Sequence, residues 1–131
     1  MRSPTGNTEI RVDSMGSGYY QARRGGRLHA GVDYTTRPGD HVVAPISGRV
    51  VRIARPYEDQ PFEGLVIRSP AMTIKMYYFK PLEDIMGQQV TEGMVIGHAQ
   101  DIRTLHGPDM IPHIHLEIRN VSMNPADWIS G

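Results

Sequence analysis

Cysteine is absent from the chain. That excludes a disulfide framework, a thiolate nucleophile and any metal site built on sulfur, so a bound metal would have to rest on histidine and carboxylate. An excess of charge of one sign is absent too, since Lys plus Arg number 14 and Asp plus Glu number 14. The composition therefore implies no broad polyanion-binding face, and no nucleic-acid partner is expected. No apolar run approaches the ~18–20 residues of a membrane-spanning helix. Residues Met1 to Asn7 hold no apolar stretch, so the start does not read as a signal peptide. Helical periodicity is weak almost everywhere.

What the chain does have is punctuation. Fourteen Gly and ten Pro are spread over 131 residues, with short apolar runs between them. That pattern predicts many short strands in a single domain. Met1 to Thr8 is polar and reads as a loose arm, and Ile10 with Val12 suggests a short strand. Asp13 to Gly26 reads as loop, with Tyr19 and Tyr20 as anchors. The expected division is an N-terminal arm and loop over 1–26 and a β domain over 27–131. Strands are expected at Ala30–Thr36, Val42–Ala44, Arg49–Ala54, Leu65–Ser69, Thr73–Lys80, Met94–His98 and His113–Arg119, where β-branched and aromatic residues suit a pleated surface. One short helix is expected near the end, with Asn124 as cap and Pro125 in the first turn. The stretches Gly39 to Val50 and Gly87 to Gly97 echo one another, which suggests an antiparallel sheet built from two quasi-equivalent hairpins.

Two patterns could carry chemistry. In Pro112-His113-Ile114-His115-Leu116-Glu117-Ile118, strand alternation sends Ile114, Leu116 and Ile118 to one face and His113, His115 and Glu117 to the other. Two imidazoles two residues apart can converge on one metal or one substrate, although an edge strand with exposed histidines would show the same spacing. In His29-Ala30-Gly31-Val32-Asp33, an extended backbone puts His29, Gly31 and Asp33 on one side, with the small Gly31 leaving room between two ligand types. Together, His29, Asp33 and His115 supply two imidazoles and a carboxylate. Zn²⁺ accepts such N and O ligands, and three protein ligands leave a fourth position for water, as in catalytic rather than structural sites. His113 would stand beside the metal, free to orient or deprotonate that water.

An early HxxxD and a late HxH, with Pro-Gly-Asp-His-Val-Val-Ala-Pro, a Gly-Arg-Val turn, the Val90 to Gly97 echo and a closing Asn-Pro-x-x-Trp, resemble the lysostaphin/LytM-type zinc endopeptidases. The resemblance runs from about Leu28 to Ile129. It implies a compact, mostly antiparallel β-structure of the duplicated hybrid motif, Zn²⁺ on His29, Asp33 and His115, and peptidoglycan stem or bridge peptides as substrate. That family usually has a further His in a Tyr-x-His motif, and in Met76-Tyr77-Tyr78-Phe79-Lys80-Pro81 the matching position is Lys80. An ammonium can stabilise an oxyanion, but at an ordinary pKa near ~10.4 it is a poor base. The candidate catalytic residues are His113, Lys80 and Tyr78, the last on the same expected strand face as Lys80 and read either as a hydrogen-bond donor to a substrate carbonyl or oxyanion or as a partly buried sheet aromatic.

The Lys in that place, with Glu9-Ile10-Arg11, Tyr20-Gln21-Ala22-Arg23 and Arg55-Pro56-Tyr57, is similar to a secreted animal branch of the same fold, the leukocyte cell-derived chemotaxin-2 type, which signals rather than cuts. Without that branch's cysteines, the chain reads as a microbial or viral relative. Its expected setting is extracellular, periplasmic or a phage virion. Glu117 could orient a ligand histidine from behind. His41 and His98 read as surface residues, whereas His106, in a Gly/Pro loop shortly before His113, either is an exposed loop residue or reaches the site from the rim. A biotinyl- or lipoyl-carrier domain has no use for HxxxD with HxH, and a cupin needs a further His after His115, which is the last in the chain. Two readings stand: a zinc endopeptidase of peptidoglycan cross-links, or a zinc-retaining binding module.

Overall fold

In the computed structural model, which describes residues 1–24, 27–119 and 124–129, the chain is a succession of short strands. They are β1 (Val12–Asp13), β2 (Gly16–Ser17), β3 (Arg23–Arg24), β4 (Arg27–Leu28), β5 (Val32–Thr35), β6 (His41–Val43) and β7 (Gly48–Ala54). After them come β8 (Gly64–Arg68), β9 (Thr73–Tyr77), β10 (Phe79–Pro81), β11 (Gln89–Val90) and β12 (Val95–Ala99). A short helix α1 (Arg103–His106), the strand β13 (His113–Ile118) and a 3₁₀ turn at Pro125–Asp127 complete the order. A six-stranded antiparallel sheet runs β11-β7-β8-β9-β13-β5, and a three-stranded one runs β10-β12-β6. No helix among the described residues is long and apolar enough to cross a membrane.

The expected β architecture is present, and alternation explains how it packs. Val32, Tyr34, Leu65, Ile67, Ile74, Met76, Phe79, Ile96, Ile114 and Leu116 are all essentially buried in one core. Each such side chain contributes about 1.5–3 kcal/mol by leaving water. β13 is buried on both faces. Ile114, Leu116 and Ile118 enter the core, and the polar face carries the floor of a cleft.

The structure departs from expectation in several places, among them the expected loop Asp13 to Gly26, which carries β2 and β3. The segment Thr73–Lys80 is two strands, because Tyr78 takes a left-handed backbone (φ 83°). The N–H groups of Tyr78 and Phe79 both donate to the Glu63 carbonyl, at 2.7 and 3.1 Å, and the chain passes there from the larger sheet to the smaller. The two echoing stretches do not form hairpins. Their strands pair across from one stretch to the other, β6 with β12 and β7 with β11. The extra helix α1 follows Asp101, whose side chain accepts from the Arg103 N–H at 3.1 Å. The C-terminal helix is a single 3₁₀ turn, and its expected cap is in place, with Asn124 accepting from the Ala126 N–H at 3.0 Å.

The N-terminal arm is not loose. Arg2 donates to the Pro45 carbonyl at 2.9 Å, and Val43 donates to the Pro4 carbonyl at 3.0 Å. Ile10 bridges to Tyr34, and Tyr20 packs on the core, whereas Tyr19 is exposed. Gly25 and Gly26, at the expected arm boundary, lie outside the described residues, as do residues 130 and 131.

Candidate metal centre

β5 and β13 are neighbours, and their register sets Asp33 directly opposite His115. His29 arrives over the top of this pair on the extended segment before β5. That approach requires Gly31, where a Cβ would lie 2.3 Å from the Leu116 carbonyl oxygen and 2.9 Å from His115 Cε1. His29 Nε2 is then 3.0 Å from His115 Nδ1, and His115 Nδ1 is 2.9 Å from Asp33 Oδ1. His29 Nε2 lies 3.3 Å from the same carboxylate oxygen. The three side chains are buried.

The outer nitrogens decide which atoms face inward. His29 Nδ1 donates to the Tyr19 carbonyl at 3.0 Å, and His115 Nε2 donates to Glu117 Oε1 at 2.8 Å. Each imidazole is thereby left with a lone pair on the inward nitrogen, beside a carboxylate. Such outer hydrogen bonds orient histidines that bind metals. Three electron pairs with no hydrogen between them repel one another, and either a proton or a cation relieves this. The group could hold a metal ion. Without one, burial lowers the His115 imidazolium, but the hydrogen bonds to Asp33 and Glu117 outweigh it and carry the group up to about 9. Burial opposes ionisation of Asp33, and the surrounding histidines hold it well below the ordinary carboxylate value. Glu117 is likewise buried, yet His115, Lys75 and Arg119 draw it down to about 2.

His113 stands beside this group. Its Nδ1 donates to the Ile111 carbonyl at 2.8 Å, and its Nε2 lies 3.5 Å from Asp33 Oδ2. Burial pushes its imidazolium down to about 4, so the ring is neutral at pH 7 and Nε2 can accept a proton. Tyr78 packs edge-on against this ring. Burial, first among several causes, raises the Tyr78 phenol far above its ordinary value, so its oxygen keeps the proton. The Tyr78 hydroxyl meets Tyr57 Oη at 3.3 Å, and Tyr57 Oη meets His106 Nε2 at 3.1 Å. Tyr77 stacks on His115 with an interplanar angle of 18°. These residues line a cleft of about 580 Å³, with Met15, Leu28 and Met110 also on its walls.

Of the candidate residues, the structure brings His29, Asp33, His115, His113 and Tyr78 together, and it sets Lys80 apart. The left-handed turn at Tyr78 carries Lys80 onto the smaller sheet. There its side chain is 70% exposed, pairs with Glu63, and lies outside the residues that line the cleft. His41 and His98 pair on that same sheet. Of the two readings open for His106, an exposed loop residue or one that reaches the site from the rim, the structure supports the second, since His106 lies on the cleft wall. Arg11, Tyr57 and Tyr77 were not anticipated as site residues. Arg11 and Tyr57 reach the site from distant loops, and no local spacing marks them.

The family described as Peptidase family M23 matches residues 27–127. Leukocyte cell-derived chemotaxin-2 of Bos taurus is 32% identical over 114 residues, covering 85% of this chain and 74% of that protein. Among solved structures, Helicobacter pylori Csd3 superposes with a TM-score of 0.70 at 20% identity over 99% of this chain, which spans 33% of that one. The catalytic domain of the antimicrobial peptidase lysostaphin from Staphylococcus simulans gives a TM-score of 0.61 at 22% identity, covering 89% of this chain and 90% of that domain. A zinc containing peptidase from Vibrio cholerae gives 0.64 at 24% identity, over 93% of this chain and 37% of the other. At these identities the structural likeness concerns the fold.

Proposed function

The chain belongs to peptidase family M23, and from that premise we propose that its cleft hydrolyses peptide bonds in the cross-links of bacterial peptidoglycan, with zinc held by His29, Asp33 and His115. The observation that carries this reading is the convergence of two imidazole lone pairs and a carboxylate, each imidazole locked from behind by a hydrogen bond to Tyr19 or Glu117. A sulfur-free set of N and O donors suits zinc, and the Vibrio neighbour is described as zinc containing. Zinc in such a site polarises a carbonyl and brings the pKa of its water near ~7.

The remaining work falls to the chain's own side chains. His113, neutral and facing inward with Nε2, accepts a proton from the attacking water and returns it to the departing amine. Tyr78 donates its hydroxyl hydrogen toward the carbonyl oxygen as negative charge develops there. Tyr57 and His106 fix the direction of that hydroxyl. Asp33 stays ionised, and its Oδ2 stabilises the imidazolium formed on His113. In this arrangement Tyr78 packs against His113 at the wall of the cleft, and Lys80 has no part in the chemistry.

The test is digestion of purified peptidoglycan by the zinc-loaded chain, read by mass spectrometry of the released fragments. New peptide ends that disappear with a zinc chelator are expected, and they also name the scissile bond. A second reading is favoured by the Lys at the position where the family usually has His: the cleft retains zinc and binds a partner without cutting. It predicts a protein that holds zinc and binds peptidoglycan but releases no new ends.

A further inference from the structure

The stretch matched to the family begins at residue 27, yet two charged side chains from before it are buried against the centre. Arg11 is 2% exposed. Its Nε donates to Asp33 Oδ2 at 3.2 Å, and its Nη1 donates to Asp13 Oδ1 at 2.8 Å and to the Gly16 carbonyl at 3.3 Å. Asp13 accepts on both oxygens. Oδ1 also takes the Met15 N–H at 2.8 Å, and Oδ2 takes the Ile111 N–H at 2.7 Å. The carbonyl of that same Ile111 receives the Nδ1 proton of His113. A continuous run of hydrogen bonds thus joins the ligand carboxylate to the base: Asp33, Arg11, Asp13, Ile111, His113.

The backbone reinforces this run. Arg11 N donates to the Asp33 carbonyl at 2.8 Å, Gly18 N donates to the Arg11 carbonyl at 2.7 Å, and Asp33 N donates to the Gly18 carbonyl at 2.9 Å. The approach is so close that a Cβ on Gly18 would lie 2.6 Å from Asp33 Cβ. Residues 11–18 therefore clasp Asp33 on its backbone and on its carboxylate.

We propose that Arg11 and Asp13 are positioning residues of the metal centre, contributed by a segment outside the family-matched stretch. Arg11 occupies Asp33 Oδ2 and leaves Oδ1 as the single carboxylate oxygen offered to the metal. Asp13 relays the same constraint to His113, so that ligand and base are set by one clamp. A guanidinium is needed because it addresses two carboxylates from fixed directions, which a lysine ammonium cannot reproduce. A carboxylate is needed at Asp13 because every partner is a donor, and an amide would turn an NH₂ toward one of them. The proposal rests on the metal reading above.

The test measures zinc affinity by competition with a chelator, in the parent chain and in Arg11→Lys and Asp13→Asn, each checked for folding by circular dichroism. Weakening of about 10–100-fold is expected in both, the usual cost of losing a group behind a metal ligand. Affinity within about twofold of the parent in a folded variant overturns the proposal. If neither variant folds, the parent decides by NMR. The Arg11 Nε–H should remain protected from exchange with zinc bound, and loss of that protection on adding zinc means that Asp33 has released Arg11, which overturns the proposal. These readouts do not depend on turnover. A parent chain that takes up no zinc refutes the metal reading itself, whereas zinc uptake indifferent to Arg11 and Asp13 refutes only the clamp.

Discussion

The ring of Tyr78 meets the ring of His113 edge-on, with centroids 5.2 Å apart and planes at 83°. Tyr78 reaches this position through a left-handed backbone that costs about 1–3 kcal/mol for a residue other than glycine. The two donations to the Glu63 carbonyl hold it there. Tyr78→Phe keeps the ring against His113 and deletes only the hydroxyl. A fall in kcat of about 10²–10³-fold is expected, the range for loss of one oxyanion donor, with KM nearly unchanged. Tyr57→Phe should give a smaller fall. Steady-state kinetics on a peptide identified from the digest separates the two, and a Tyr78→Phe variant at full kcat would remove the hydroxyl from the mechanism.

His113→Ala deletes the proton carrier and leaves the three proposed ligands in place. Turnover should fall by at least about 10²-fold. Bound zinc, measured by native mass spectrometry, should stay at the parent's level. Loss of zinc along with activity would make His113 a ligand instead of a base.

Lys80→Gln removes an exposed ammonium that pairs with Glu63 outside the cleft. The expected kcat/KM is within about twofold of the parent, since exposed ion pairs of this kind contribute only ~0–1 kcal/mol to stability. A drop of tenfold or more would return Lys80 to the site.

The metal-free chain should be most stable near pH 6.5. His115 rises from 6.5 to about 9 on folding, so its contribution is complete below 6.5 and is lost as pH climbs through 9. His113 falls from 6.5 to about 4, so its neutral form stabilises the fold fully above 6.5, and this is lost as pH falls through 4. Glu117 falls from 4.5 to about 2, and its contribution is present above 4.5 and lost on further acidification. Thermal melts of chelator-treated protein from pH 3 to pH 10, a range chosen to bracket these values, should trace a dome. Zinc should flatten its alkaline side, because the metal displaces the proton from His115. A metal-free curve that still rises above pH 9 would contradict the charge state assigned to His115.

Much of the strand layout and the two polar faces that carry His29, Asp33, His113, His115 and Glu117 were legible because they depend on local alternation, and their convergence was legible from zinc chemistry and the family resemblance. His113, His115 and Glu117 share a face by the two-residue repeat, and Gly31 between His29 and Asp33 signals a close approach. Three things were not legible. The break at Tyr78 depends on the Glu63 carbonyl, fifteen residues away in sequence, and without it Lys80 takes the wrong side. The cross-pairing of the two echoing stretches is a long-range choice that similar local turns leave open. Arg11 and Tyr57 enter from separate loops and His106 from the end of α1, and only the folded chain brings them to the cleft wall.

The most direct test of the account follows the appearance of new amine ends in purified peptidoglycan under three conditions: the zinc-loaded chain, the same sample stripped by chelator, and the stripped sample with zinc restored. The account predicts release, then none, then release again, with the ends at one type of peptide bond. No release from a chain that carries zinc on His29, Asp33 and His115 would contradict it and leave the cleft as a binding site.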